Sequence, residues 1–142
     1  MIKLGTFGIL RHQQFYLLGK RVADDKTFAS LWCHPGGGVE YGESIDKALI
    51  REFREEVLLE VRIAPSGYTA IHEYIKDDRH VVLVFKEVEM TLNQKAPPAP
   101  GDGFSEVDWF TYEQIVTMDV DGLTTPLTWP AAAAFEHDRI TC

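Results

Sequence analysis

The sequence predicts a single α/β domain that extends over residues 1–142. The chain has 142 residues, of which 45% are hydrophobic, and this length and composition suit one compact domain with its own core. Apolar runs that alternate or are β-branched recur along the chain, as strands require. Helix signals occur in residues 44–57 and after Pro130. We therefore expect helices that pack against a sheet.

Two strands are expected at the start of the chain. The apolar runs 2–10 and 15–18 are separated by the polar residues RHQQ, which indicates an antiparallel pair joined by a turn. Lys20 and Arg21 end the second strand. A basic pair at a strand end either blunts a solvated sheet edge or contacts a phosphate group, and both interpretations stay open.

A glycine-rich loop follows these strands. Residues 22–30 are polar and predict a loop, and residues 31–33 predict a short strand that leads to Pro35 and the glycines at 36–38. The segment GGGVEYGE lacks both the Gly-Lys-Ser/Thr ending of a Walker loop and the third glycine of a dinucleotide fingerprint. Neither of these two nucleotide-binding motifs is therefore present here.

A helix is predicted from Ser44 to about Val57. The Ser44 hydroxyl can accept a hydrogen bond from a free amide of the first turn, and Asp46 suits the positive end of the helix dipole. Leu49, Phe53 and Val57 recur every four residues and form one apolar stripe. The helix is expected to pack on the body of the protein by this stripe.

Three carboxylates share one face of the same helix. Glu52, Glu55 and Glu56 are spaced at i, i+3 and i+4, so they fall within an arc of about 100° beside the apolar stripe. Crowded carboxylates either raise their pKa values or bind a cation, and oxygen ligands suit Mg²⁺ or Mn²⁺. The alternative is a solvated helix face with ion pairs such as Arg51 with Glu55.

The second half of the chain continues with strands and ends in a helix. Strands are expected at VRI, TAIHEYI and HVVLVFKEVEM, with a hairpin connection at KDDR, and the segment NQKAPPAPGDG predicts a surface loop. The segment SEVDWFTYEQI predicts a short strand that enters a short helix. Pro130 is expected to open the final helix. His72 and His80 are interpreted as structural histidines of the hairpin.

The composition excludes several classes of partner. Fourteen Lys and Arg against 22 Asp and Glu give a net charge of −8, which opposes binding to a nucleic acid polymer or an anionic membrane. We expect no signal peptide in MIKLGTFGIL and no membrane span elsewhere. Cys33 and Cys142 lack the spacing of a disulfide framework or a zinc site, so we expect a cytoplasmic protein. Whether it is a monomer or a homodimer stays open.

The spacing around the acidic helix resembles the Nudix box. The match consists of Gly37, Glu43, the pair Arg51 and Glu52, the apolar Phe53, the pair Glu55 and Glu56, and the apolar Leu59. Leu58 departs from the pattern, because the box has glycine at this position. Glycine normally ends such a helix with a positive φ, which would cost leucine about 1 kcal/mol or more. We therefore expect a local change in how the helix ends.

The resemblance implies a fold and a set of roles. The implied fold is a Nudix α/β/α sandwich with a mixed β-sheet, with the box helix on one side and the C-terminal helix on the other. Glu52, Glu55 and Glu56 would bind the metal, and the Gly36 carbonyl would add a ligand. Arg51 would orient the glutamates, and Glu43 would support them.

Residues outside the box are assigned by looser resemblance. Glu106 would complete the metal site or act as general base, and the alternative is a strand-edge carboxylate. Trp129 would stack on a nucleobase, although a tryptophan beside a proline also serves as packing. Asp119 and Asp121 are weaker candidates for contacts with the edge of the base. Lys20 and Arg21 remain candidates for phosphate contacts.

The implied activity is Mg²⁺- or Mn²⁺-dependent hydrolysis of a nucleoside diphosphate linked to another moiety. The expected substrate is a nucleoside triphosphate, including a modified one, which would be cleaved to the monophosphate and pyrophosphate. Two alternative substrates stay open if the protein is an enzyme, namely a nucleotide sugar and a dinucleoside polyphosphate. A third alternative, a module that binds a nucleotide without cleaving it, would not need the three glutamates.

Overall fold

The computed structural model describes residues 1–141, which contain eight strands and three helices. Cys142 lies outside the described residues. The elements in chain order are β1 Ile2–His12, β2 Phe15–Arg21, β3 Trp32–Cys33, β4 Gly36–Gly38, α1 Ile45–Val57, β5 Val61–Ile63, β6 Thr69–Lys76, β7 Arg79–Met90, β8 Phe104–Thr111, α2 Tyr112–Val120 and α3 Thr128–Thr141.

The strands form one mixed sheet. Its central order is β3-β2-β1-β7-β5, with β4 beside β1, β6 beside β7 and β8 beside β2. β1 and β7 are parallel over Ile2–Leu10 and His80–Val88, whereas β2 and β8 are antiparallel. Strand β1 therefore joins the two halves of the sheet.

Helices cover both faces of this sheet, because successive strand residues point to opposite sides. In β1, Leu10 packs in the core under α1 and Ile9 packs in the core under α2 and α3. The α1 core contains the predicted stripe Leu49, Phe53 and Val57. The opposite core contains Phe135 of α3. The predicted α/β/α arrangement with a mixed sheet is confirmed, and one domain over residues 1–142 stays a prediction.

The three glycines 36–38 form a strand, so the prediction of a loop was wrong here. Gly5, Thr6 and Phe7 of β1 pair with Gly38, Gly37 and Gly36. A Cβ atom on Gly36 would lie 2.1 Å from the Thr6 carbonyl oxygen, so only glycine allows this close approach. Glycine has a low strand propensity, which explains why the sequence did not indicate the strand.

The final helix begins at Thr128, two residues before Pro130, so the predicted start was wrong. Pro130 lies in the first turn of α3. The amides of the first turn have no partner within a helix, so proline is tolerated there without the loss of a hydrogen bond. Within residues 1–141, no helix is long and apolar enough to cross a membrane.

Helix α1 covers the predicted residues, but the conformation of its C-cap differs from the prediction. Ser44 is the N-cap, and its Oγ accepts a hydrogen bond from the Lys47 amide at 3.1 Å. Leu58 occupies the left-handed conformation, with φ 58° and ψ 36°. The expected local change does not occur, because leucine adopts the backbone conformation that favours glycine.

Replacement of Leu58 by glycine is expected to stabilise the protein relative to Leu58→Ala. Both variants remove a side chain that is 55% exposed, but only glycine relieves the left-handed strain. The larger conformational entropy of glycine in the unfolded chain offsets part of this gain. The free energy of unfolding of Leu58→Gly should therefore exceed that of Leu58→Ala by about 0.5–1 kcal/mol. Urea unfolding of the two variants measures it, and a less stable Leu58→Gly would contradict the strain at this position.

Candidate active site

The site is built where the last two turns of α1 face strand β4. A Cβ atom on Gly37 would lie 2.7 Å from the Glu52 carboxyl group, so the glycine strand leaves the room that this side chain occupies. Glu56 accepts a hydrogen bond from the Gly36 amide at 2.8 Å. The glycines and the glutamates of the box therefore meet in space.

Arg51 uses all five of its N–H donors in this site. Its Nε and Nη2 atoms donate to Glu43 at 2.8 and 3.0 Å, and Nη2 also donates to the Gly38 carbonyl at 3.1 Å. Its Nη1 atom donates to Glu52 at 2.9 Å and to Glu55 at 3.2 Å. Hydrogen bonds from Arg51 lower the pKa of Glu43. Arg51 thus fixes the orientation of three carboxylates, which supports the roles predicted for Arg51 and Glu43.

The two inner glutamates resist ionisation. Burial raises the pKa of Glu56 to about 8, and the negative charge of Glu52 adds to this effect. Burial likewise raises the pKa of Glu52, although the adjacent Arg51 charge opposes the rise. Both carboxylates are thus less stable as anions than carboxylates in water, and a nearby cation would reverse this.

This donor set fits a hard divalent cation such as Mg²⁺ or Mn²⁺. Half-buried carboxylates with raised pKa values gain stability from a positive ion, and such ions prefer carboxylate and carbonyl oxygens. Within residues 1–141, no three His, Cys, Asp or Glu side chains converge closely enough to enclose an ion. Arg51 holds Glu52 and Glu55 at one nitrogen atom, and Glu55 is 44% exposed. The fit therefore rests on the chemistry and burial of the glutamates.

The loop that the sequence predicts at the surface supports the end of α1. The amides of Ala99, Gly101 and Asp102 donate hydrogen bonds of 2.8 to 3.1 Å to the carbonyls of Val57, Glu56 and Glu55. These carbonyls belong to the last turn of the helix, where no partner exists within the helix itself. A Cβ atom on Gly101 would lie 2.1 Å from the Glu55 carbonyl oxygen. The loop thus fixes the turn that carries Glu55 and Glu56.

A cavity of about 230 Å³ lies beside the carboxylates. Arg21 and Cys33 line it, and the charges of both Arg21 and Cys33 interact with that of Glu56. Its walls also contain the aromatic residues Phe7, Phe28, Tyr74 and Phe85. A flat apolar group could therefore occupy this space while a charged group extends toward α1.

Of the predicted substrate-binding residues, only Arg21 lines the cavity. Arg21 lines the cavity and donates hydrogen bonds to Asp25 and to the Thr27 carbonyl. Lys20 forms an ion pair with Glu106 at 3.5 Å. Trp129, Asp119 and Asp121 lie outside the cavity lining: Trp129 donates to the Tyr112 hydroxyl, Asp119 accepts from Thr124, and Asp121 is the C-cap of α2.

Glu106 lies on β8, directly opposite Lys20 of β2. Its side chain is 60% exposed, and its described ion pair is with Lys20. The residue therefore lies on strand β8, which pairs with β2, and its described partner is Lys20. Its role as general base or metal ligand stays a prediction.

His34 is a residue that sequence reasoning did not single out. It is 2% exposed, lines the cavity, and its Nε2 atom lies 3.1 Å from the Thr128 carbonyl oxygen. Burial lowers the pKa of His34 to about 4, so the ring is neutral at pH 7. A histidine before Pro-Gly-Gly was the available signal. The two histidines that were interpreted as structural lie elsewhere: His80 contacts Glu73, and the His72 ring packs against Phe85.

Because the pKa of Glu56 is raised, the free energy of unfolding should depend on pH when a chelator keeps the protein free of metal. The folded state holds the Glu56 proton up to about pH 8, whereas the unfolded state releases it near its ordinary pKa of 4.5. This contribution to stability is complete below pH 4.5 and is lost as the pH rises through 8. Between pH 6.5 and 8 the loss should be about 1.5 kcal/mol.

Glu56→Gln should remove this loss, since glutamine does not titrate. Urea unfolding of the two proteins at pH 6.5 and 8 in EDTA measures the difference. In the unfolded chain His34 titrates near its ordinary pKa of 6.5, but it does so in both proteins, so its contribution cancels in the comparison. Equal pH dependence in the two proteins would show that Glu56 is ionised throughout.

Known proteins share both the sequence and the fold. The chain matches the NUDIX domain over residues 3–130. The nucleoside triphosphatase NudI of Escherichia coli O139:H28 is 43% identical over 126 residues, which cover 82% of this chain and 86% of that protein. The 8-oxo-dGTP diphosphatase of Escherichia coli K12 is 36% identical over 84 residues, which cover 58% of this chain and 62% of that protein.

Two solved structures have the same fold at low sequence identity. A NUDIX hydrolase from Nitrosomonas europaea superposes with a TM-score of 0.81 at 17% identity and covers 97% of this chain and 90% of its own. The MutT protein from Methanosarcina mazei Go1 also has a TM-score of 0.81, at 18% identity, with 97% and 95% covered. The domain match and the relative at 43% identity lead to one conclusion: this protein is an enzyme of the Nudix hydrolase family.

Proposed function

We propose that the protein hydrolyses nucleoside triphosphates to the monophosphate and pyrophosphate with Mg²⁺ or Mn²⁺. The observation that carries this proposal is a pair of half-buried glutamates, Glu52 and Glu56, together with an apolar cavity lined by Arg21, whose charge interacts with that of Glu56. The names of two relatives, a nucleoside triphosphatase and an 8-oxo-dGTP diphosphatase, support this substrate class.

The metal-binding residues in this proposal are Glu52, Glu55, Glu56 and the Gly36 carbonyl, with Glu106 as a further ligand or base. A divalent cation supplies charge neutralisation of the phosphates and lowers the pKa of water. Members of the family generally require such a metal. Because the protein carries a net charge of −8, local positive charge is needed before a polyanion can bind.

The side chains of this chain would perform three tasks in the reaction. Arg51 holds the glutamates in place through its five hydrogen bonds. Arg21 lines the cavity and its charge interacts with that of Glu56, so its guanidinium can balance phosphate charge there. Water attacks phosphorus and the phosphoanhydride bond breaks, and Glu106 is proposed to accept the proton of the water.

Small nucleotides are the proposed partners, and the cytoplasm is the proposed location. The acidic charge opposes binding to nucleic acid polymers and anionic membranes. The thiol of Cys33 is buried, and burial raises its pKa to about 12, so a reduced and unreactive cysteine is expected.

A panel of substrates tests this function. The purified protein is incubated with ribo- and deoxyribonucleoside triphosphates, a nucleotide sugar and a dinucleoside polyphosphate, each with Mg²⁺ or with EDTA. We expect the highest kcat/KM for a triphosphate and no turnover in EDTA. Preference for a nucleotide sugar or a dinucleoside polyphosphate would contradict the substrate class. Binding without cleavage of any compound would identify a binding module instead.

A further inference from the structure

We propose that His34 reads the nucleobase, with its Nδ1 atom accepting a hydrogen bond from a ring or amino N–H of a base that occupies the aromatic cavity. This inference rests on the proposed function, which gives the position of the phosphates. It adds that the base occupies the cavity and that His34 recognises the base.

The tautomer of His34 follows from its one described hydrogen bond. Nε2 lies 3.1 Å from the Thr128 carbonyl oxygen, which can only accept, so Nε2 carries the hydrogen. The ring is buried away from water and makes no described hydrogen bond to a carboxylate. A neutral ring with its hydrogen on Nε2 leaves a lone pair on Nδ1.

That lone pair has no partner in the protein. His34 Nδ1 is one of three buried side-chain nitrogen atoms without a hydrogen bond among residues 1–141, and His34 alone of these residues lines the cavity. A buried acceptor without a partner costs about 1–3 kcal/mol, so its retention calls for an external donor. In this proposal, a ligand seated against His34 in the cavity provides that donor.

The neighbouring hydroxyls do not fill the same role. Thr128 Oγ1 donates to the Trp32 carbonyl at 3.1 Å, and therefore Thr125 Oγ1 is the donor in its contact with Thr128 at 2.7 Å. Both hydroxyl hydrogens are engaged within the protein. The lining side chains His34, Thr125 and Thr128 thus have lone pairs but no free hydrogens to offer a ligand, which favours a ligand edge that carries N–H groups.

The remaining walls suit a planar heterocycle. Phe28 and Tyr74 meet edge to face with ring centroids 6.3 Å apart, and the His34 ring is edge to face with Phe85 at 6.1 Å. Phe28 is held at a φ of +60°, a strained conformation for a bulky residue that recurs at ligand sites. The charge of Arg21 interacts with that of Glu56, so we place the phosphates of the ligand near Arg21, toward α1. The base then occupies the part of the cavity that the aromatic residues line.

The direct test is the ¹⁵N chemical shift of His34 Nδ1 in the full-length wild-type protein. The protein, labelled with ¹⁵N-histidine and kept in EDTA to prevent turnover, is titrated separately with dATP, dCTP, dGTP, dTTP and dUTP. We expect at least one nucleotide to shift Nδ1 in the direction of an accepted hydrogen bond while Nε2 keeps its shift. Inorganic triphosphate, which has no base, should leave Nδ1 unchanged.

Three outcomes would overturn the proposal. Saturation with a bound nucleotide could leave Nδ1 unchanged, inorganic triphosphate could shift it equally, or Nδ1 could already be hydrogen-bonded without ligand, which would indicate a permanent buried water. These outcomes are independent of hydrolysis. A protein that fails to cleave any nucleotide can still give the predicted shift, so failure of the function and failure of this inference are distinguishable.

A variant adds a second readout. His34→Gln places an amide at the position of Nε2, which can keep the bond to Thr128, but it lacks the Nδ1 acceptor. We expect KM for the nucleotide that shifts Nδ1 to rise about threefold to tenfold with little change in kcat, and affinity for inorganic triphosphate to stay constant. His137→Gln, on the exposed face of α3, is the matched control. An equal loss of affinity for inorganic triphosphate would indicate a structural role.

Discussion

Glu56→Gln is expected to lower kcat/KM for nucleoside triphosphates by about 100-fold to 1000-fold. The substitution keeps the shape of the side chain and can keep a contact with the Gly36 amide. It removes the negative charge that burial makes costly in the protein alone, and this charge is the one that a cation would use. Steady-state kinetics at saturating Mg²⁺ measure the loss.

The matched control for this variant is Glu60→Gln. Glu60 lies four residues further on and forms a partly exposed ion pair with Arg54 at 2.7 Å. Exposed pairs contribute about 0–1 kcal/mol, so this variant should retain activity and stability. Near-normal turnover by Glu56→Gln, or an equal loss in Glu60→Gln, would contradict the assignment of the site to the inner glutamates.

Glu106→Gln is expected to lose most turnover while the fold stays intact. The carboxylate is 60% exposed and pairs only at 3.5 Å with Lys20, so its replacement costs the folded state little. The loss of turnover should follow because glutamine cannot accept a proton from water. Turnover and thermal unfolding are measured on the same preparation.

Asp108→Asn provides the comparison for Glu106→Gln. Asp108 lies two residues further along β8 and is likewise exposed. Successive residues of a strand alternate, so Asp108 and Glu106 point to the same side of the sheet. If Glu106→Gln retains near-normal turnover, or if both variants lose it equally, Glu106 is not the general base and the strand-edge interpretation holds.

The acidic helix could be predicted from the sequence because its signals are local. A capping serine, an apolar stripe with a four-residue step and the positions of the glutamates all depend on residues within one helix. Arg51 could be assigned an orienting role only by resemblance. Three of its five hydrogen bonds reach Glu43 and Gly38 outside the helix, and no spacing rule predicts these three, whereas its bond to Glu55 follows the i, i+4 rule.

The features that the sequence did not indicate depend on contacts between distant segments. The strand at 36–38 forms because β1 pairs with it, against the low strand propensity of glycine. The lack of a partner for His34 Nδ1 becomes evident only in the folded protein, where the carbonyl of Thr128, 94 residues away, accepts the hydrogen bond of the other ring nitrogen. Leu58 keeps a left-handed cap because the rest of α1 and the loop at 99–102 fix the end of the helix.

The identity of the products shows which phosphoanhydride bond the protein cleaves. A single nucleoside triphosphate is incubated with the protein and Mg²⁺, and both the nucleotide and the phosphate products are quantified over time. We expect one monophosphate and one pyrophosphate for each triphosphate consumed, with no product in Glu56→Gln beyond a residual rate. Formation of the diphosphate and orthophosphate, or undiminished product from Glu56→Gln, would contradict it.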